Sequence, residues 1–303
     1  MNDNKDIVSV IAELKKQRNA IILAHNYVNA EIQAIADFCG DSLELSIKAA
    51  DTNADVLVVC GVKFMAETAK ILSPDTTVLM PRPDAGCPMA DMVDVEKLRK
   101  FRAENPDTVI IAYVNTTAEV KSLVDICCTS GNAEKVVASI PEDKEILFMP
   151  DRNLGGNIMR KLGRKMQLWE GCCPYHDGVT VEMISRAREA APDAQVLVHP
   201  ECRNEVVMAA DLALSTGAML KYVTESNNKE FIVGTESGIL FRMQRANPDK
   251  KFYLLQPEIL CPDMKRITLD DVAESLRDLK YPVELPAEMI SGAAGAIEKM
   301  IAL

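Results

Sequence analysis

Cys87, Cys173 and Cys261 each stand immediately before a proline and follow one another at steps of 86 and 88 residues. Six residues past each cysteine comes an apolar position and then an acidic helix start: Val93-Asp94-Val95-Glu96, Val179-Thr180-Val181-Glu182 and Ile267-Thr268-Leu269-Asp270. A loop cysteine followed by a capped helix is therefore written three times. Thiolates in such a pattern are candidate metal ligands. Structural zinc is usually held by closely spaced Cys-x-x-Cys pairs, and none occurs in this chain. Three thiolates from distant loops suit zinc less well than a larger object, a [4Fe-4S] cluster whose fourth iron stays open as a Lewis acid toward a substrate oxygen. Three inert buried thiols are the plain alternative. Cys172 competes with Cys173 for the middle place, but only Cys173 precedes proline and keeps the six-residue step to Val179. Cys39, Cys60, Cys127, Cys128 and Cys202 form no such triplet; most read as structural, though Cys128 and Cys202 lie close to the expected site.

The same period carries a second layer. In IILAHNY, IIAYVNT and VLVHPEC an apolar, strand-like run ends in a ring-bearing residue, His25, Tyr113 or His199, at steps of 88 and 86. Seventeen residues beyond each lies a hydroxyl: Ser42, Ser130 and Thr216. Each hydroxyl neighbours a glycine-bearing turn, at Gly40, Gly131 and Gly217, of the kind whose free N–H groups bind carboxylate or phosphate. Read plainly, the hydroxyls would be N-caps and the rings residues at the core edge. The chain has three histidines, His25, His176 and His199, and all fall in these loops. Glu201, two residues past His199, could act as a general base or orient a histidine; a solvated loop acid is its plain alternative.

Positions recurring at one period set the fold. The period is longer than that of a solenoid repeat, so each copy is a small α/β domain. Short Val/Ile/Leu-rich runs (IILAHNY, VLVVC, TVIIAYVN, EILFMP, QVLVHP, FIVG) alternate with helical patterns, the signature of parallel sheets buried on both faces. The expected organisation is three repeats: 1–92, 93–178 and 179–266, with 267–303 packing back on the first. The ring residues and hydroxyls lie at strand ends or turns, so all three copies are expected to face one shared centre, where parallel sheets bind ligands. In the third copy the hydroxyl Thr216 follows the helix read from NEVVMAADLAL, which weakens its register.

A chain of 303 residues that is 48% apolar can bury a substantial core. The net charge is −11 and the basic residues are not clustered, which argues against nucleic acid or an anionic membrane and for a small-molecule partner. The N-terminal stretch has no basic segment followed by an apolar one, and no apolar run reaches the ~18–20 residues of a membrane helix. The expected location is cytoplasmic, where nine cysteines are thiols or ligands and not a disulfide framework.

Beyond these inferences, the chain resembles the quinolinate synthase family of de novo NAD biosynthesis along nearly its whole length. The segments that carry the resemblance are AHNY (24–27), GDS (40–42), FMAETAKIL (64–72), YVNTTAEVK (113–121), CTSGNA (128–133), PDRNLG (150–155), WEGCCPYH (169–176), HPEC (199–202), GTESG (234–238) and CPDMK (261–265). The resemblance implies three α/β/α domains about a pseudo-threefold axis with a [4Fe-4S] cluster on it, ligated by Cys87, Cys173 and Cys261. It implies condensation of iminoaspartate with dihydroxyacetone phosphate to quinolinate, with loss of phosphate and two waters. His25, Ser42, Tyr113, Asn115, Ser130, His199, Glu201 and Thr216 would hold the substrates, and Tyr27, Tyr113, His199 and Glu201 would supply acid–base chemistry. Transient contact with the oxidase that makes iminoaspartate is part of the same implication. Some members carry a Cys-x-x-Cys redox switch at the last cysteine; here that stretch is Glu258-Ile259-Leu260-Cys261, without the second thiol. His176, Met264 and Lys265 also match the family but receive no role. Two rival functions fit the residues alone: a cluster-dependent hydro-lyase acting on another dicarboxylate, and an iron–sulfur redox sensor, for which the acidic chain has no spare signalling segment.

Overall fold

The computed structural model describes residues 3–303. The first unit comprises α1 (Asp3–Gln17), β1 (Ala20–His25), α2 (Ala30–Ile35), β2 (Phe38–Gly40), α3 (Ser42–Ala50), β3 (Val56–Cys60), α4 (Lys63–Leu72) and β4 (Thr77–Leu79). The second repeats the order with α5 (Val95–Glu104), β5 (Val109–Tyr113), α6 (Ala118–Lys121), β6 (Ile126–Cys128), α7 (Ala133–Ser139), β7 (Ile146–Met149), α8 (Arg152–Leu162) and β8 (Gln167–Leu168). A short helix, α9 (Pro174–Asp177), leads into the third unit: α10 (Val181–Ala190), β9 (Gln195–Val198), α11 (Asn204–Ala209), β10 (Leu212–Ala213), α12 (Thr216–Glu225), β11 (Glu230–Gly234), α13 (Leu240–Ala246) and β12 (Lys251–Leu254). Two further helices, α14 (Leu269–Asp278) and α15 (Ala287–Ala302), end the chain.

Each unit holds one four-stranded, all-parallel sheet, and the three strand orders are the same: β2-β1-β3-β4, β6-β5-β7-β8 and β10-β9-β11-β12. The fold is thus α/β with three α/β/α units, one around each sheet, as the alternation of strand and helix implied. β3 and β7 are buried along their whole length, as strands covered by helices on both faces must be. One apolar core runs through the first two units and part of the third, and a second cluster around Val196, Val198 and Ile232 fills the rest of the third.

The repeat is kept down to single hydrogen bonds. Asp37, Asp125 and Asp211 each precede an edge strand, and each carboxylate accepts a central-strand N–H at 2.7 Å, from Ile22, Ile110 and Val196. Each is paired with a base from the unit's first helix: Lys15, Arg102 and Arg188.

Three details differ from the sequence reading. The edge strands β2, β6 and β10 are only two or three residues long, too short to leave an alternation that could be read. The run NEVVMAADLAL is not one helix, because α11 ends at Ala209 and Leu212–Ala213 pair with β9; Thr216 then opens α12. Ser130, whose plain reading is an N-cap, stands outside the helix that follows: α7 starts at Ala133 with Asn132 at its N-cap.

At the end of the chain α14 packs on α1, and Arg18 donates to the carbonyls of Leu276 and Arg277. α15 lies against α4 and also against α6 and β6 of the second unit. No helix among the described residues is long and apolar enough to cross a membrane.

Candidate active site

In a parallel sheet whose chain turns left from one central strand and right from the next, a crevice opens beyond their carboxyl ends. His25 and Tyr113 are the last residues of β1 and β5, and His199 directly follows β9. The three crevices face one another. His25, Tyr27, Ser42, Cys87, Tyr113, Asn115, Ser130, Cys173, His199, Glu201, Thr216 and Cys261 all line a single cavity of about 80 Å³.

Local structure fixes the direction of each ring. The backbone N–H of Tyr27 donates to Nδ1 of His25 at 3.2 Å, and the N–H of Glu201 donates to Nδ1 of His199 at 3.3 Å. With Nδ1 accepting, Nε2 carries the proton in both rings; that of His199 reaches Ser130 Oγ at 3.2 Å. Burial holds both imidazoles at about 3, far below the ordinary 6.5, and each also feels a neighbouring histidine. Glu201 pulls the other way but does not prevail. The 3.6 Å approach of His199 Nδ1 to the Glu201 carboxylate is therefore not an ion pair, since that nitrogen already accepts an N–H.

Glu201 is the hub. Tyr113 donates its hydroxyl to Oε1 at 2.6 Å, and His176 Nδ1 lies 2.7 Å from Oε2. Burial alone would raise this carboxyl, but the two imidazoles and the hydrogen bonds from His176 and Tyr113 outweigh it and keep it below the ordinary carboxylate range. With the His176 proton on Nδ1, its Nε2 accepts from Thr235 Oγ1 at 2.8 Å, and Thr235 in turn accepts from Tyr27 at 2.5 Å. Tyr27, Thr235, His176, Glu201 and Tyr113 thus form one buried hydrogen-bonded chain. Burial pushes both tyrosines well above their ordinary range, so they enter the chain as O–H groups.

The hydroxyls are not caps. Asp41 caps α3 through the N–H groups of Leu43 and Glu44, and Ser215 caps α12 through that of Ala218. Ser42 and Thr216 are the first residues inside those helices, and Ser130 lies in the turn before α7. The helices meet because Gly217 has no side chain: a Cβ there would stand 2.7 Å from the Asp41 carboxylate. Asn115 Oδ1 is buried without a protein partner, a polar atom facing the cavity with its acceptor capacity unused.

The chain matches the family described as quinolinate synthetase A protein over residues 9–302. It is 52% identical over 295 residues, 97% of each chain, to a protein of Geobacter sp. (strain M21) named quinolinate synthase. It is 50% identical over 303 residues, the whole of both chains, to one of the same name from Desulforudis audaxviator (strain MP104C), and 48% identical over 301 residues, 99% of both, to another from Thermodesulfovibrio yellowstonii. The chain belongs to the quinolinate synthetase A family. It is an enzyme of that family.

The thiols suit a shared metal centre. The backbone N–H groups of Met89 and Ala90 favour the thiolate of Cys87, that of His176 favours Cys173, and those of Asp263 and Met264 favour Cys261. Each sulfur therefore sits over the start of a short helical turn that stabilises thiolate. Burial works in the opposite direction and pushes all three up, Cys87 to about 12, so bound metal would displace protons. A second donor set, Cys173, His176 and Glu201, has its ligand atoms within 4.8 Å of one another. It is the weaker candidate, because His176 and Glu201 already satisfy each other at 2.7 Å. The nine cysteines are all free thiols.

Sequence reasoning passed over Thr235, Asp151 and Glu236 and gave His176 no role. Their signal lay in motifs quoted only for family resemblance: PDRNLG, WEGCCPYH and GTESG.

Proposed function

We propose that this chain is a quinolinate synthase. It would condense iminoaspartate with dihydroxyacetone phosphate to quinolinate, releasing one phosphate and two waters, in a cytoplasmic setting and with transient contact to the oxidase that makes iminoaspartate. The observation that carries the reading is the convergence of three unit-borne thiols, three hydroxyls and an acid–base chain on one cavity.

In this reading Cys87, Cys173 and Cys261 hold a [4Fe-4S] cluster that supplies a Lewis acid for a leaving hydroxyl. Ser42 and Thr216, at the positive ends of α3 and α12, and Ser130 bind the carboxylates and phosphate. The neutral imidazoles of His25 and His199 donate through Nε2 and fix the dicarboxylate without adding charge. Asn115 offers its free carbonyl to the imine or amine hydrogen.

Glu201 takes a proton as the carbon–carbon bond forms and returns it through Tyr113 to a departing hydroxyl, while His176 and Thr235 carry the same exchange to Tyr27 on the other wall. Burial of the whole set excludes water, which would otherwise hydrolyse the imine.

Anaerobic purification with iron and sulfide analysis, followed by an assay for quinolinate from the two substrates, tests the proposal. About four irons and four sulfides per chain, together with quinolinate formation, are expected. Cluster without quinolinate would point to another dicarboxylate hydro-lyase, and no cluster would sink the reading.

A further inference from the structure

The turn that follows the third strand of each unit touches the cysteine loop in the same way. Lys63 N–H donates to the Ala85 carbonyl at 2.9 Å, Arg152 N–H to that of Gly171 at 2.8 Å, and Ser237 N–H to that of Ile259 at 3.0 Å. In every case the acceptor lies two residues before the cysteine. The residue before each donor is therefore structurally equivalent in the three units: Val62, Asp151 and Glu236.

In the second and third units that residue is a buried carboxylate bound to the cysteine's own N–H. Asp151 Oδ2 accepts from Cys173 at 3.0 Å and Glu236 Oε1 from Cys261 at 3.4 Å. The other oxygen of each holds the start of the following helical turn: Oδ1 of Asp151 accepts from Leu154 and Oε2 of Glu236 from Gly238, both at 2.7 Å. Each carboxylate therefore ties a cysteine to a helix start with its two oxygens, which an apolar residue cannot do. Val62 leaves the first unit without this device. There the N–H of Gly86, next to Cys87, goes instead to Oδ1 of Asp263 at 3.3 Å, which comes from the turn after Cys261.

We propose that Asp151 and Glu236 are positioning residues that pre-set Cys173 and Cys261 for the cluster, an inference that rests on the cluster reading given above. Neither touches substrate in this role. They act through the cysteines, by holding the ligand backbone in place before metal arrives, as the outer partners of metal ligands do. Glu236 is in addition matched by Lys265 Nζ at 2.8 Å, which also bonds the Tyr27 carbonyl; the third-unit clamp is thereby tied to the first unit.

The informative variants are Asp151→Asn and Glu236→Gln. Asparagine caps a helix as well as aspartate does, so the Asp151→Asn chain keeps the bond to Leu154 and turns an amide N–H₂ toward the N–H of Cys173, donor against donor. The chains are purified anaerobically, reconstituted with iron and sulfide, and measured three ways: far-UV circular dichroism and melting of the metal-free chain, the rate of cluster loss to a chelator, and the electron paramagnetic resonance spectrum of the reduced cluster. The expected result is a metal-free fold like wild type, roughly 10–100-fold weaker cluster retention and an altered spectrum, with Asp151→Asn the larger effect because its bond is shorter. Wild-type retention and spectrum in both variants overturn the proposal and leave the function intact. Loss of the metal-free fold in both also overturns it, by making these residues structural. A wild-type chain that takes up no cluster would instead bring down the function on which the inference rests.

Discussion

Tyr113 donates its hydroxyl to Glu201 at 2.6 Å across the boundary between the second and third units. The repeat equivalent of Tyr113 is His199, and Glu201 stands two residues beyond it. The buried hydrogen-bonded chain is therefore a product of assembly: Tyr27 comes from the first unit, Tyr113 from the second, and Thr235 and Glu201 from the third.

Thr235 is the link whose loss isolates Tyr27. A Thr235→Val substitution keeps shape and removes the hydroxyl that bridges Tyr27 and His176. We expect kcat for quinolinate formation to fall roughly 10²–10⁴-fold with near-native circular dichroism. Turnover at the wild-type rate would show that the chain carries no proton.

Replacing Cys87, Cys173 or Cys261 by alanine should each abolish iron uptake and activity, while Cys172→Ala should keep both, because Cys173 and not Cys172 lines the cavity. Iron analysis of the four variants decides it. The reverse pattern at 172 and 173 would mean that the repeat register is wrong.

Ser42 and Ser215 separate anion binding from capping. Ser215→Ala removes a cap and should cost about 1 kcal/mol of stability. Ser42→Ala removes no cap, since Asp41 holds that place, and should raise KM at an unchanged melting temperature. A Ser42→Ala protein that melts early and binds substrate normally would refute the anion role.

His25 and His199 should make the fold acid-labile. Both stay neutral down to about 3 when folded, against 6.5 ordinarily, so below pH ~6.5 the unfolded chain holds more protons than the native one. Stability is present above the ordinary value and is lost as pH falls, by up to about 2.7 kcal/mol per pH unit for the two rings together. Denaturant titrations from pH 7 to pH 5 should show this decline, and a flat profile would contradict it.

Lys121 should act in the alkaline range. It is fully buried, its Nζ donates to the Thr116 carbonyl and lies 5.5 Å from the centre of the Phe64 ring, and burial lowers it from 10.5 to about 8. The native state sheds this proton first, so stability rises between pH 8 and 10.5 by about 3 kcal/mol. Lys121→Met should stabilise the protein at pH 7 and lose that advantage by pH 10.5. An advantage that does not change with pH would rule out a titrating Lys121.

The cysteine–proline period and the ring residues were legible because they repeat in kind. His25 and Tyr113 end apolar strands and His199 directly follows one, and such apolar runs are the strongest signal a parallel sheet leaves. Asp151 and Glu236 were not legible, although they occupy equivalent places, because the first copy has Val62 there and the repeat is one of position, not of chemistry. Thr235 and His176 escaped for a related reason: each is useful only through a partner from a distant loop. The Asp37, Asp125 and Asp211 triplet does repeat in kind, at steps of 88 and 86, but isolated acids in polar turns are too common to stand out.

The identical strand order of the three sheets bears on how such a pocket can evolve. Three identical subunits around a threefold axis would be bound by symmetry to present the same residue three times. Covalent fusion removes that constraint: a mutation alters one wall and leaves the other two as they were. The ring positions have accordingly diverged to His25, Tyr113 and His199, and the clamp positions to Val62, Asp151 and Glu236. A chain built from copies of one unit can in this way reach a lopsided pocket by single substitutions without redesigning its scaffold.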